Sequence, residues 1–191
     1  MARSKFPAYF CNDVSNYHAH GGFDVFTKDR KAEQEIVNSP AVYHPPCAQW
    51  GRLKAFARVD LAEKALALWA LDMVQNHGGV LEHPRSTSLL RHIEPSARHA
   101  YDSFNGFLIS VNLSWFGFPA EKKTVLYIVG ITRSMLPVIP YSLDAPIMRL
   151  GSATSNKEAL PKNRRSETPP AMVAWIHEVL ELIMDHRKTR A

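Results

Sequence analysis

Apolar positions along the chain fall into short runs of strand character separated by longer stretches with helical spacing. The runs at 8–10, 23–27 and 41–43 predict strands. The third is stopped by His44-Pro45-Pro46, because proline cannot donate to a ladder and biases the residue before it to extended geometry. Residues 60–76 predict the best helix, with Asp60 able to cap its start and Gly78-Gly79 able to end it. Leu61, Ala65, Leu68 and Leu71 recur at helical spacing, with Trp69 and Met73 widening the stripe, and this face is expected against a sheet. Three further strands are predicted at 79–81, 107–111 and 124–129, the first ended by Glu82-His83-Pro84. A loop is expected at 115–119, and a long one over 131–168, where Leu136-Pro137, Ile139-Pro140 and Ala145-Pro146 interrupt regular structure. A final helix is expected from Pro169 or Pro170 to about 184, capped by Ser166 or Thr168.

Strands alternating with helices predict an α/β fold, Rossmann-like, with a mostly parallel sheet and helices on both faces. At 191 residues a single domain spanning 1–191 is expected. Hydrophobic residues make up 46% and charged residues 21%, which excludes a disordered or fibrous chain. Nowhere do about 18 uninterrupted apolar residues occur, so no membrane span is expected. Two cysteines, Cys11 and Cys47, are too few for a disulfide framework, and with no export signal at the start they point to a reducing cytoplasm. The net charge of +5 lies in the direction that a phosphate backbone rewards. Much of the excess sits in Lys162, Arg164, Arg165, Arg187, Lys188 and Arg190, which by themselves read as a solvated surface.

The chemistry is carried by Cys47 and Glu82, each just after a predicted strand, where ligands of open parallel sheets bind. A cysteine thiolate that adds to C6 of a pyrimidine, with an acid group at N3, makes the unreactive C5 nucleophilic. That chemistry needs one Cys and one carboxyl in one cleft. His44-Pro45-Pro46-Cys47-Ala48-Gln49-Trp50 resembles the Pro-Pro-Cys loop of the DNA cytosine-C5 methyltransferases, and Glu82-His83-Pro84 resembles their Glu-Asn-Val. A compact phage-borne and prophage-borne set with His-Pro-Pro-Cys and Glu-His-Pro is closer still. Residues 111–130 are similar to the family's Tyr-Gly-x-Pro-Gln-x-Arg-x-Arg block, and Ser166-Glu167-Thr168-Pro169-Pro170 looks like the helix start that closes its cofactor pocket.

The resemblance implies catalytic roles for Cys47 and Glu82, and S-adenosylmethionine held by Tyr9, Phe10, Asp29, Pro45, Thr168 and Pro170. It implies DNA as the partner, met by Pro46, Gln49, Trp50, Arg52, His83, Lys122 and Lys123, with Trp50 or Arg52 filling the gap left by a flipped base. It also implies a bacterial or phage-infected cytoplasm as the setting. Three features depart from the family. The stretch 9–17 has no glycine where the cofactor loop is glycine-rich, and the basic block has Ala120, Lys122 and Thr124 in place of glutamine and two arginines. Residues 131–162 are too short for a target-recognition domain, so specificity is low or is supplied by a protein partner. Cys11 lies outside the motif. No metal site is expected, because His18 and His20 near Cys11 match no ligand spacing, and no Gly-x-Ser-x-Gly or phosphate-cradling loop occurs. The rival readings are an inactive methyltransferase-like protein that binds DNA or counters restriction, and a different C5 modification using another one-carbon donor.

Overall fold

A computed structural model describes residues 5–11, 15–27, 38–51, 60–150 and 156–189. In chain order the elements are β1 (Phe6–Tyr9), α1 (Asn16–His20), β2 (Phe23–Phe26), β3 (Ala41–Tyr43), α2 (Leu61–His77) and β4 (Gly79–Pro84). They continue with β5 (Phe107–Asn112), β6 (Lys123–Val129), the short β7 (Met148–Arg149) and β8 (Glu158–Ala159), and α3 (Pro170–Lys188).

Six strands form one sheet in the order β2-β1-β3-β4-β6-β5. β1 pairs in parallel with β2 and β3, and β3 with β4, whereas β6 is antiparallel to both β4 and β5. Only β6 is therefore reversed, and the expected α/β class with a mostly parallel sheet is observed. The two-residue side-chain period of a strand divides the apolar residues between two faces. Ala41, Tyr43, Leu81, Val125 and Tyr127 pack with α2 on one face, while Val42, Val80, Leu126 and Ile128 pack with α3 on the other. An aromatic cluster locks α2 to the parallel half of the sheet. Tyr9 stacks on Tyr43 at 4.9 Å, Phe26 lies 4.5 Å from Tyr9, and Trp69 meets both tyrosines edge-on.

Several expectations are corrected. The buried face of α2 is Ala67, Ala70, Leu71, Met73 and Val74, while Leu61 is 74% exposed and Ala65 and Leu68 also face outward. Its middle, from Ala67 to Val74, packs against the sheet, and the alanines let the helix approach closely. β4 does not end at 81, since Glu82, His83 and Pro84 pair with Leu126, Val125 and Thr124 of β6. Residues 113–116 form a 3-10 turn rather than plain loop. Helix α3 has no side-chain cap; Pro169 takes that position, and Thr168 instead uses its carbonyl to accept from Asn16 Nδ2 at 2.7 Å. The proline-rich segment is tied down by polar bonds. Arg133 donates to the carbonyls of Ala97 and Leu108, and Trp175 Nε1 donates to Pro137 O. Among the described residues no helix is long and apolar enough to cross a membrane.

Gly78 caps α2 with φ 64°, and Gly79 follows with φ 130° directly opposite Ala41 of β3. A side chain at Gly79 would fall on the Ala41 backbone, whereas Gly21, also left-handed at φ 74°, faces open space. Gly79→Ala is accordingly expected to lower unfolding free energy by roughly 2–4 kcal/mol, against about 1 kcal/mol for Gly21→Ala, as read from urea denaturation midpoints.

Candidate functional site

The chain runs from β1 to β2 on one side, then crosses to β3 on the other side of β1. This reversal of winding opens a crevice at the carboxyl ends of β1 and β3, where open α/β sheets bind ligands. A cavity of about 450 Å³ lies there, with walls that include Phe10, Cys11, Tyr17, His44, Cys47 and Glu82. Pro45, Pro46, Lys122 and Thr168 also line it, and Lys162 and Arg165 approach from the segment before α3.

Each wall has a local cause. Phe10 follows β1 with φ 62°, a left-handed backbone that costs a non-glycine residue about 1–2 kcal/mol. The chain thus makes, with a phenylalanine, the sharp turn for which the absent glycines would be suited. Past Pro45 and Pro46, the carbonyl of Cys47 accepts from the N–H groups of Trp50 and Gly51 at 3.1 and 2.8 Å, which closes a turn and leaves Cys47 exposed. Lys122 reaches the same edge because β6 runs backwards, so its beginning, not its end, lies beside the end of β4. Asn112 Oδ1 accepts from Lys122 N at 2.9 Å and fixes that approach.

Glu82 shares its face of β4 with Val80, and its carboxylate is almost fully buried. Burial alone would push its pKa up. The hydrogen bond from His44 and the charges of Lys122, His44 and His83 prevail and hold it at about 2. With the carboxylate ionised, His44 Nδ1 donates to Glu82 Oε2 at 3.1 Å, and Nε2 accepts from the Tyr17 hydroxyl at 2.8 Å. Burial pushes Tyr17 well above its ordinary range, so it remains a donor. The line Tyr17, His44, Glu82 is satisfied with one tautomer throughout, except that Glu82 Oε1 is buried without a partner among the described residues. Although the residue is exposed overall, partial desolvation of its sulfur at the cavity wall, then the negative charge of Glu82, raises the Cys47 thiol, and Lys122 offsets only part of this. At rest the pair is therefore a thiol and a carboxylate. Cys11 lines the same cavity, its thiol pushed up to about 12 by burial against the lowering effect of Ser15.

Of the residues singled out from sequence, Cys47, Glu82, Phe10, Pro45, Pro46, Lys122 and Thr168 come together around this cavity. Others do not. Tyr9 is buried in the aromatic cluster on the α2 face, and Pro170 lines a neighbouring cavity with Asn16 and Pro169. Gln49 and Trp50 border a separate cavity with Lys64, Arg91 and His92, where the buried Trp50 ring packs edge-on to His92. His83 is one residue from Glu82 and so points to the opposite face; it is 1% exposed and lowered to about 4 by burial. Lys123 is exposed at the start of β6 and does not line the cavity. Asp29 and Arg52 lie outside the described residues. Sequence reading missed His44 as a working residue, although it begins the proline-cysteine loop, and it missed Tyr17, Lys162 and Arg165, which reach the cavity only through the tertiary fold. No family model matches the chain, and no curated protein matches it.

Two measurements follow from these charges. His83 falls from an ordinary 6.5 to about 4 on folding and Glu82 from 4.5 to about 2, so both contribute stability that is complete above their ordinary values. The unfolded chain takes up those protons first, so stability should decline as pH falls below 6.5 and decline further below 4.5. His83→Met should flatten the upper limb by on the order of 1–3 kcal/mol in urea titrations at stepped pH. Separately, Glu82→Gln should speed iodoacetamide alkylation of Cys47 at fixed neutral pH and Lys122→Ala should slow it, each by several-fold to about tenfold, as followed by peptide mass spectrometry.

Proposed function

We propose that this cavity is the active site of a methyltransferase-like enzyme that modifies cytosine at C5 through covalent addition of Cys47 to C6, with DNA as the substrate. The reading rests on one observation above all. Cys47 and the unpartnered Glu82 Oε1 border the same crevice, at the winding reversal of a mostly parallel sheet.

The resting protonation states supply the right number of protons. The Cys47 S–H bond breaks as S–C6 forms, and the proton passes to N3 of the ring, which then donates to Glu82 Oε1. Glu82 enters as an acceptor for a protonated ring rather than as an acid. His44 and Tyr17 keep the carboxylate turned toward the base, and Lys122 moderates the charge left when the thiol proton departs. The sharp turn at Phe10 and the wall at Thr168 are the described residues that would hold S-adenosylmethionine, which when bound supplies an electrophilic methyl group. The C5 proton then leaves to water, and as S–C6 breaks the electron pair returns to sulfur and the N3 proton to the thiolate, which restores the neutral aromatic ring and the resting thiol.

An oligonucleotide carrying 5-fluorocytosine tests this, since fluorine blocks the final loss from C5. With S-adenosylmethionine present, a denaturation-resistant protein–DNA species should form, disappear with Cys47→Ser, and form at least about tenfold more slowly with Glu82→Gln. Because Cys11 borders the same cavity, Cys11→Ser is a control for site identity: trapping should survive it. Trapping that persists in Cys47→Ser, or methyl transfer to adenine, would exclude the mechanism.

A further inference from the structure

The described cavity is electrically lopsided. Its single carboxylate, Glu82, stands on the strand side with one oxygen committed to His44 and the other without a partner. The same lining holds three cations: Lys122, close enough to Glu82 to lower its pKa, and Lys162 and Arg165 from the segment before α3. Among the described residues none of the three forms an ion pair, although Arg164 in the same segment pairs with Glu167 at 3.1 Å. Arg165 is also anchored. Its Nε donates to the carbonyl of the fully buried Leu160 at 3.0 Å, so the guanidinium is held by its inner nitrogen and its terminal nitrogens remain to grip an anion. Ser15 adds a hydroxyl group to the cavity lining.

A ligand complementary to this arrangement carries N–H donors at one end and a doubly charged anion at the other. We infer that Lys162 and Arg165, which line the same cavity as Glu82 and Lys122, form a phosphate subsite, and that the cavity takes a cytidine nucleotide with its phosphate rather than a bare base or nucleoside. This rests on the reading of Glu82 as the base-facing group. The nucleotide is either free or swung out of a strand.

Calorimetric titration with deoxycytidine, dCMP and a short single-stranded oligonucleotide containing one cytosine tests the subsite. The phosphate-bearing ligands should bind at least about tenfold more tightly than deoxycytidine, the worth of one charge-assisted contact. Lys162→Ala and Arg165→Lys should each remove most of that advantage while leaving deoxycytidine affinity unchanged. The exposed Lys162 serves as the safe variant should Arg165 prove needed for folding. Tighter binding of dCMP than of the oligonucleotide assigns the subsite to a terminal phosphate, and the reverse assigns it to a strand phosphate. Equal affinity for dCMP and deoxycytidine, or an advantage that survives both substitutions, overturns the inference. Its failure is separable from that of the chemistry. A phosphate advantage without trapping at Cys47 removes the covalent mechanism alone, and trapping without the advantage removes the subsite alone.

Discussion

A carboxylate set into the middle of a β-sheet has to be compensated before the rest of that sheet edge can be arranged. Glu82 occupies a position on β4 where period-two alternation demands an inward side chain, and isolated burial of its charge would cost several kcal/mol. Compensation comes from three directions: His44 beyond β3, Tyr17 behind it on α1, and Lys122 ahead of β6. These elements are distant in sequence and have one common meeting place. The requirement to solvate a single charge with protein groups therefore explains why the proline-bounded loop, the short first helix and the reversed strand converge on one crevice. Among the described residues only one of its oxygens has a hydrogen-bond partner, and the other gives the crevice a direction.

The same reasoning explains what could and could not be read from the chain. β3 is legible because Ala41, Val42 and Tyr43 are bracketed by Pro40 and by His44-Pro45, and α2 is legible because Asp60 and Gly78 mark its ends. The buried face of α2 is not legible from periodicity alone. Leu61, Leu68 and their neighbours make as good a stripe as Ala67, Ala70, Leu71 and Val74, and the choice depends on how far the helix overhangs the sheet. Glu82-His83-Pro84 looks like a strand terminator because proline cannot donate. At the last position of β4 that missing donor is tolerated.

Cys47 and Glu82, which line the cavity together, stand out through local motifs, whereas the structure places His83 away from it, because motif matching ignores side-chain parity. Neighbours on a strand face opposite ways, so the residue after a carboxylate that lines the crevice is for that reason directed elsewhere. Lys162 and Arg165 carry no local signal at all. They look like any solvated basic run until the Asn16 to Thr168 bond and the burial of Leu160 draw their segment against the crevice.

Phe10 joins the crevice to the far face of the sheet. Its backbone makes the turn after β1, its ring borders the cavity, and the same ring meets Trp69 of α2 edge-on at 5.8 Å. The indole of Trp69 is thus one contact away from whatever occupies the site, while Trp115 and Trp175 belong to the other core and Trp50 to another cavity. The molecule carries its own optical probe: occupancy that presses on Phe10 will be written into the emission of one indole, without any label having to be attached.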